Sequence, residues 1–218
     1  MKGLFIKDLR LMLLQKHFFI IVAAITMGML LFSDDVSFPL GFLPFVMSLF
    51  SLTTISYDEF DNGNAFLFTL PITRRSYVVE KYCFGFILGC GTLVFSTILV
   101  MITSYWKEAF VIADLVKIAV SLLPFMITIQ AVMLPFQLKY GGEKGRIAML
   151  ATIAVLVMSG VVIRNIAEEV LHVNLMEWLN HLPVIDLQVM FFIANVAAIL
   201  LFLISLKISI AIMNRKEF

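Results

Sequence analysis

Charge is scarce in this chain: 14% of its 218 residues are charged, against about 25% in soluble globular domains. A fold so poor in charge and 61% hydrophobic cannot hide its apolar surface in a core, so most of that surface must face lipid. A backbone in lipid satisfies its own hydrogen bonds, which leaves helices or closed barrels. The apolar runs are long and continuous rather than alternating, and this excludes the barrel. Cysteine is nearly absent too. Cys83 and Cys90 share one apolar run and read as buried thiols, not as a disulfide framework. The net charge of +1 does not by its sum identify a partner, and no nucleic acid is expected as one. Linkers rich in Pro, Ser or charge are missing, as are internal repeats, so residues 1–218 read as a single membrane domain. No small-residue cleavage pattern precedes Asp34 and Asp35, and the opening segment reads as retained.

What is present sorts into spans. A hydrocarbon core about 30 Å thick needs roughly 20 helical residues, and six runs qualify: 17–32, 38–57, 82–105, 115–138, 147–163 and 189–213. The expected fold is therefore all-α and integral to the membrane, with six transmembrane helices. Of the sixteen lysines and arginines, all but Lys107, Lys117 and Arg164 fall on one side when the N-terminus is placed inside. Basic residues are retained in the cytoplasm, so both ends are expected there.

The connecting segments differ in character. Residues 1–16 are too charged to cross, and Phe5, Ile6, Leu9, Met12 and Leu13 gather on one helical face with Lys7, Asp8 and Arg10 mostly elsewhere. This predicts an interfacial helix on the inner leaflet. Residues 58–81 form a cytoplasmic elbow, broken by the turn signal Asn62-Gly63 and by Pro71, with Thr73 placed to cap the helix that follows. The elbow is longer than a connector needs. Its apolar Phe66, Phe68 and Leu70 read as docking anchors and Glu59, Arg74 and Arg75 as a charged rim. In the outer loop 164–188, Leu171, Leu175, Trp178, Leu179 and Leu182 share one face, which predicts short helices at the outer interface before the sixth span.

Lys7-Asp8-Leu9, Tyr57-Asp58-Glu59, and Leu70-Pro71-Ile72-Thr73-Arg74 leading to Val79-Glu80-Lys81-Tyr82 together resemble the permease subunits of type-2 ATP-binding-cassette exporters. Within that family the chain is similar to the permeases that export phenol-soluble modulins or confer antimicrobial-peptide immunity, and it departs from the pattern at Ala65-Phe66. The resemblance implies a bacterial inner-membrane protein whose loop after the second span is a coupling helix seated on a separate ATPase subunit. It places ATPase coupling on Lys7, Asp8, Asp58, Glu59, Phe66, Phe68, Leu70, Pro71, Arg74, Arg75, Glu80 and Lys81, with a smaller contact in 139–146 that includes Glu143. It also implies a second permease copy or homologue, ATP and Mg held in the partner subunit, and an amphipathic or hydrophobic peptide as substrate.

The energetics of the chain agree. None of the six expected spans holds Asp or Glu, the groups through which ion-coupled transporters work. No GxxxxGK[ST] phosphate loop is present, since Gly141-Gly142-Glu143-Lys144-Gly145 has the wrong spacing. An ATPase must be another polypeptide, and the chain is not expected to be an enzyme. Glu177 and His181 lie four apart, but they lack the further ligands a metal site needs, and no metal is expected. Gly85 and Gly89 form a GxxxG suited to close packing within the subunit. Pro124 and Pro135 are expected to interrupt the fourth span, and Gln130 between them, with Leu175 and Trp178 outside, marks a candidate substrate pathway. A membrane component that senses or shelters the cell from a lytic peptide is the alternative to an exporter.

Overall fold

The computed structural model describes residues 2–32, 37–60, 63–107, 112–142 and 187–216, with scattered positions between 144 and 158. The helices bounded within these residues are α1 (Lys2–Leu14), α2 (Lys16–Phe32), α3 (Ser37–Glu59), α4 (Gly63–Leu67), α5 (Arg74–Lys107), α6 (Ile112–Tyr140) and α7 (Leu187–Arg215). Among the described residues, four helices are long and apolar enough to cross a membrane: α3, α5 over Arg74–Ser104, α6 over Leu115–Tyr140, and α7 over Val189–Arg215. The first expected span is a helix of 17 residues. It meets α1 at an angle of 68°, and the two pass the same test only when taken together. The fifth expected span and the outer loop with Leu175 and Trp178 lie largely or wholly outside the described residues.

α3 packs most extensively on α5, and α6 on α7, with α3 and α5 also touching α6. The glycines explain how close α5 comes. A Cβ on Gly85 would lie 2.2 Å from Gln130 Nε2 and 2.7 Å from Ser51 Oγ, and one on Gly89 would lie 2.4 Å from Met126 Sδ. The GxxxG face is thus spent on α3 and α6 of the same subunit. Hydrogen bonds tie α5 and α6 to α7. The Tyr82 hydroxyl lies 2.6 Å from Ser205 Oγ and 2.7 Å from Ser209 Oγ, and Ser205 Oγ donates to the Ala131 carbonyl.

Two expectations change. Pro124 and Pro135 do not interrupt their span, because α6 runs through both, as α3 runs through Pro44. In lipid no water competes for the backbone, so the helix persists around a proline and its neighbours absorb the freed carbonyl. Cys83 is exposed at the protein surface and Cys90 half-buried, rather than both being enclosed. The apolar face of α1 is exposed at Ile6 and Leu13 and half-buried at Phe5, Leu9 and Met12, while Leu4 and Asp8 are the buried positions. The stripe is kept for lipid, and the inward side is chosen by a charge pair.

Candidate functional site

At the end of the bundle where α1, the C-terminus of α3 and the N-terminus of α5 meet, the three sequence signatures converge on one charge cluster. Lys7 pairs with Asp58, and its Nζ lies 2.7 Å from Asp8 Oδ1. Lys81 pairs with Asp8, and its Nζ lies 2.8 Å from Asp58 Oδ2. Thr54 Oγ1 accepts from Lys81 Nζ at 2.9 Å, and the Tyr77 hydroxyl donates to Asp58 Oδ2 at 3.1 Å. The side chains of Asp8 and Lys81 are both 0% exposed. Two cations and two anions therefore cancel in a cluster whose centre, Asp8 and Lys81, is closed to water while Lys7 at its edge is 35% exposed, and such pairing is the condition for burying charge at all. Burial draws the Lys7 ammonium toward its neutral form, but the carboxylates of Asp58 and Asp8 outweigh it and hold its pKa above the usual lysine value.

This geometry separates residues that sequence spacing had grouped. Asp8, Asp58 and Lys81 face inward and bind the elbow to the bundle; they form no outer docking surface of this protomer. Glu80 is 2% exposed and turns toward α1. Outward-facing residues come from the elbow itself. Phe66 is 71% and Leu70 44% exposed, with Pro71 and Arg75 exposed beside them. Of the three expected anchors, Phe68 is the exception: it is half-buried and packs edge-on against Tyr77, ring centroids 5.7 Å apart. Neighbouring side chains at the end of α4 and in the turn after it cannot all face one way, and Leu67 and Phe68 take the inward side. Thr73 caps α5 as its position predicts, its Oγ1 accepting from Ser76 N at 3.1 Å.

A second group of contacts ties the remaining helix ends to the elbow. Glu59 Oε2 accepts from Gly142 N at 3.1 Å, and Glu59 Oε1 accepts from Lys216 Nζ at 2.8 Å. Lys216 Nζ also donates to the Leu138 carbonyl at 3.1 Å. Gly141 carries the one positive φ among the described residues, +83°, and a Cβ there would lie 2.7 Å from Glu59 Oε2. Glycine is required both for that backbone conformation and for the room. Arg74 Nη1 reaches the Asn214 carbonyl at 2.8 Å and the Met213 carbonyl at 3.2 Å, stabilising the end of α7. Arg74 and Glu59 are thus braces as much as rim.

Tyr77, Gly141 and Gly142 lie within the expected segments 58–81 and 139–146 without being singled out there, whereas Thr54 and Lys216 were missed in the sequence. Gln130 is enclosed where α3, α5 and α6 meet. Its Oε1 accepts from Ser48 Oγ at 3.5 Å and its Nε2 donates to the Tyr82 carbonyl at 3.2 Å. Glu143 lies outside the described residues.

The family described as ABC-2 family transporter protein matches residues 3–214, nearly the whole chain. The chain belongs to the ABC-2 transporter family. It is a multi-pass membrane protein, and membership of this family implies the membrane-spanning permease component of an ATP-binding-cassette transporter, a component that works with an ATPase partner. No curated protein and no solved structure matches this permease.

Proposed function

We propose that this permease exports amphipathic or hydrophobic peptides, driven by a separate ATPase subunit that binds ATP and Mg and seats on the 58–81 elbow. The carrying observation is the apolar knob of Phe66 and Leu70, held out at the end of the bundle while the residues behind it are locked to α1, α3 and α5. An apolar centre excludes water and supplies binding energy, and the exposed Arg75, a few residues on in the chain, supplies charge for register. A rigid backing is what lets a docked ATPase move whole helices rather than bend a loop.

The 139–146 segment forms the smaller contact, joined to the elbow through Glu59 and Gly142. Glu59, Arg74, Asp8, Asp58 and Lys81 then act in coupling from behind the surface. A second permease copy or homologue completes the transporter, both termini are cytoplasmic, and the membrane is a bacterial inner membrane. Gln130 together with Leu175 and Trp178 would flank the substrate route.

Reconstitution of the permease with its ATPase tests this reading. Amphipathic peptide should raise ATP hydrolysis and accumulate on the trans side of the vesicle. Peptide binding without stimulated hydrolysis or transport would favour a sensing or sheltering component instead.

A further inference from the structure

Glu80 borders the charge cluster without joining it. The residue is 2% exposed, and neither carboxylate oxygen is open to water or has a hydrogen-bond partner. Among the described residues, the one cation in ion-pair range is Lys81, its Nζ 3.9 Å from Glu80 Oε2. An ammonium has three N–H donors and no more. Lys81 Nζ already meets three oxygens, of Asp8, of Asp58 at 2.8 Å and of Thr54 at 2.9 Å. On α1, Lys7 is engaged by Asp58 and Asp8, and the exposed Lys2 makes no ion pair with Glu80. The Tyr77 hydroxyl is given to Asp58. Two ammoniums therefore balance the carboxylates of Asp8 and Asp58, and an ionised Glu80 would be a third anion with no donor. A buried anion in that state costs far more than the neutral acid, which forgoes at most a hydrogen bond.

We propose that Glu80 carries a proton in this conformation and acts as a pH-sensitive latch between α1 and α5. When the proton leaves for water, the new carboxylate repels Asp8 and Asp58 and competes with them for Lys81, the ammonium that joins α1, α3 and α5. The pairing that holds α1 weakens, and α1 parts from α5 far enough for water to reach the anion. The same cluster backs the elbow, so ionisation also softens the support behind it. Folding retains on Glu80 a proton that an unfolded glutamate gives up above about pH 4.3. This contribution to stability is full in acid and falls as the pH rises, until the buried group itself ionises.

The experiment uses the full chain in detergent and compares it with Glu80→Gln, which keeps the shape of the neutral acid. The two should unfold at the same temperature at about pH 6, and by about pH 9 the unaltered protein should fall several degrees below the variant. At about pH 6, where exposed carboxyls are ionised, the unaltered protein should show the infrared C=O stretch of a protonated carboxyl, absent from Glu80→Gln and lost in alkali. Spin labels at the exposed Ile6 of α1 and Ile87 of α5, with Cys83 and Cys90 replaced, read the latch itself. Their separation should grow as the pH rises while Glu80 is in place, a readout that needs no change at the site, and should stay constant with Gln. A Glu80→Gln protein clearly less stable than its parent at about pH 6 would make Glu80 an ionised counter-ion and overturn the proposal. So would parallel pH profiles of the two proteins, a missing carboxyl band, or a separation of α1 and α5 that ignores pH.

Discussion

Lys81 Nζ lies 2.8 Å from Asp58 Oδ2, although Lys81 belongs to α5 and Asp58 ends α3, and Asp8 of α1 closes the pair from the other side. Three helices are thus joined by one ammonium that has no exposure to water. Removing one partner of such a group leaves the others as uncompensated buried charge, a larger penalty than the pair's own net worth.

Lys81→Met keeps the length of the side chain and deletes the charge, which leaves Asp8 and Asp58 with Lys7 alone. The expected loss is about 3–5 kcal/mol of stability, read as a lower unfolding temperature in detergent. Adding Asp8→Asn should recover part of it. Strict additivity of the two changes, within about 0.5 kcal/mol, would mean that the residues do not act as a unit.

The elbow makes opposite demands on adjacent residues. Phe66→Ala should leave the permease's own unfolding temperature unchanged and weaken ATPase co-purification by roughly five- to thirtyfold, the equivalent of about 1–2 kcal/mol for an interface anchor. Phe68→Ala should instead lower the permease's own stability, because that ring packs on Tyr77. Full co-purification of Phe66→Ala with undiminished stimulated hydrolysis would reduce the elbow to a connector.

A methyl group separates the glycines of α5. Gly85→Ala drives a Cβ to within 2.2 Å of Gln130 Nε2 and should cost about 1–3 kcal/mol through overpacking. Gly91→Ala meets nothing within 4 Å and should be neutral or slightly stabilising. Equal effects of the two changes on unfolding temperature would refute the close approach of α5 to α3 and α6.

Topology can be read by single-cysteine labelling in a background lacking Cys83 and Cys90. An impermeant reagent should reach cysteine placed at Lys107 or Glu177 in intact cells, and at Arg75 only after permeabilisation. Because Arg74 and Lys107 bound the same helix, α5, labelling of both ends from one side would exclude α5 as a span.

How much of this was legible beforehand divides along a physical line. Composition and the length of the apolar runs decided that the chain is helical and lives in lipid, because hydrogen-bond satisfaction in hydrocarbon leaves the backbone little choice. Local chemistry decided the Thr73 cap, the GxxxG packing face and the identity of the signature residues, since each depends on neighbours within a few positions. The direction those signatures face was decided only by tertiary structure. Asp8 has the spacing of a solvent-side residue on an interfacial helix, and nothing within α1 announces that Lys81, 73 residues away, will bury it. Phe66 and Phe68 are equally apolar, and only the position of Tyr77 turns one of them inward. Gly141 and Gly142 are an ordinary turn signal until Glu59 supplies the carboxylate they enclose. Hydrophobicity is a property each residue carries alone, so the sequence by itself could place the chain in the membrane. Charge pairing needs two residues brought together, and that was settled by the fold.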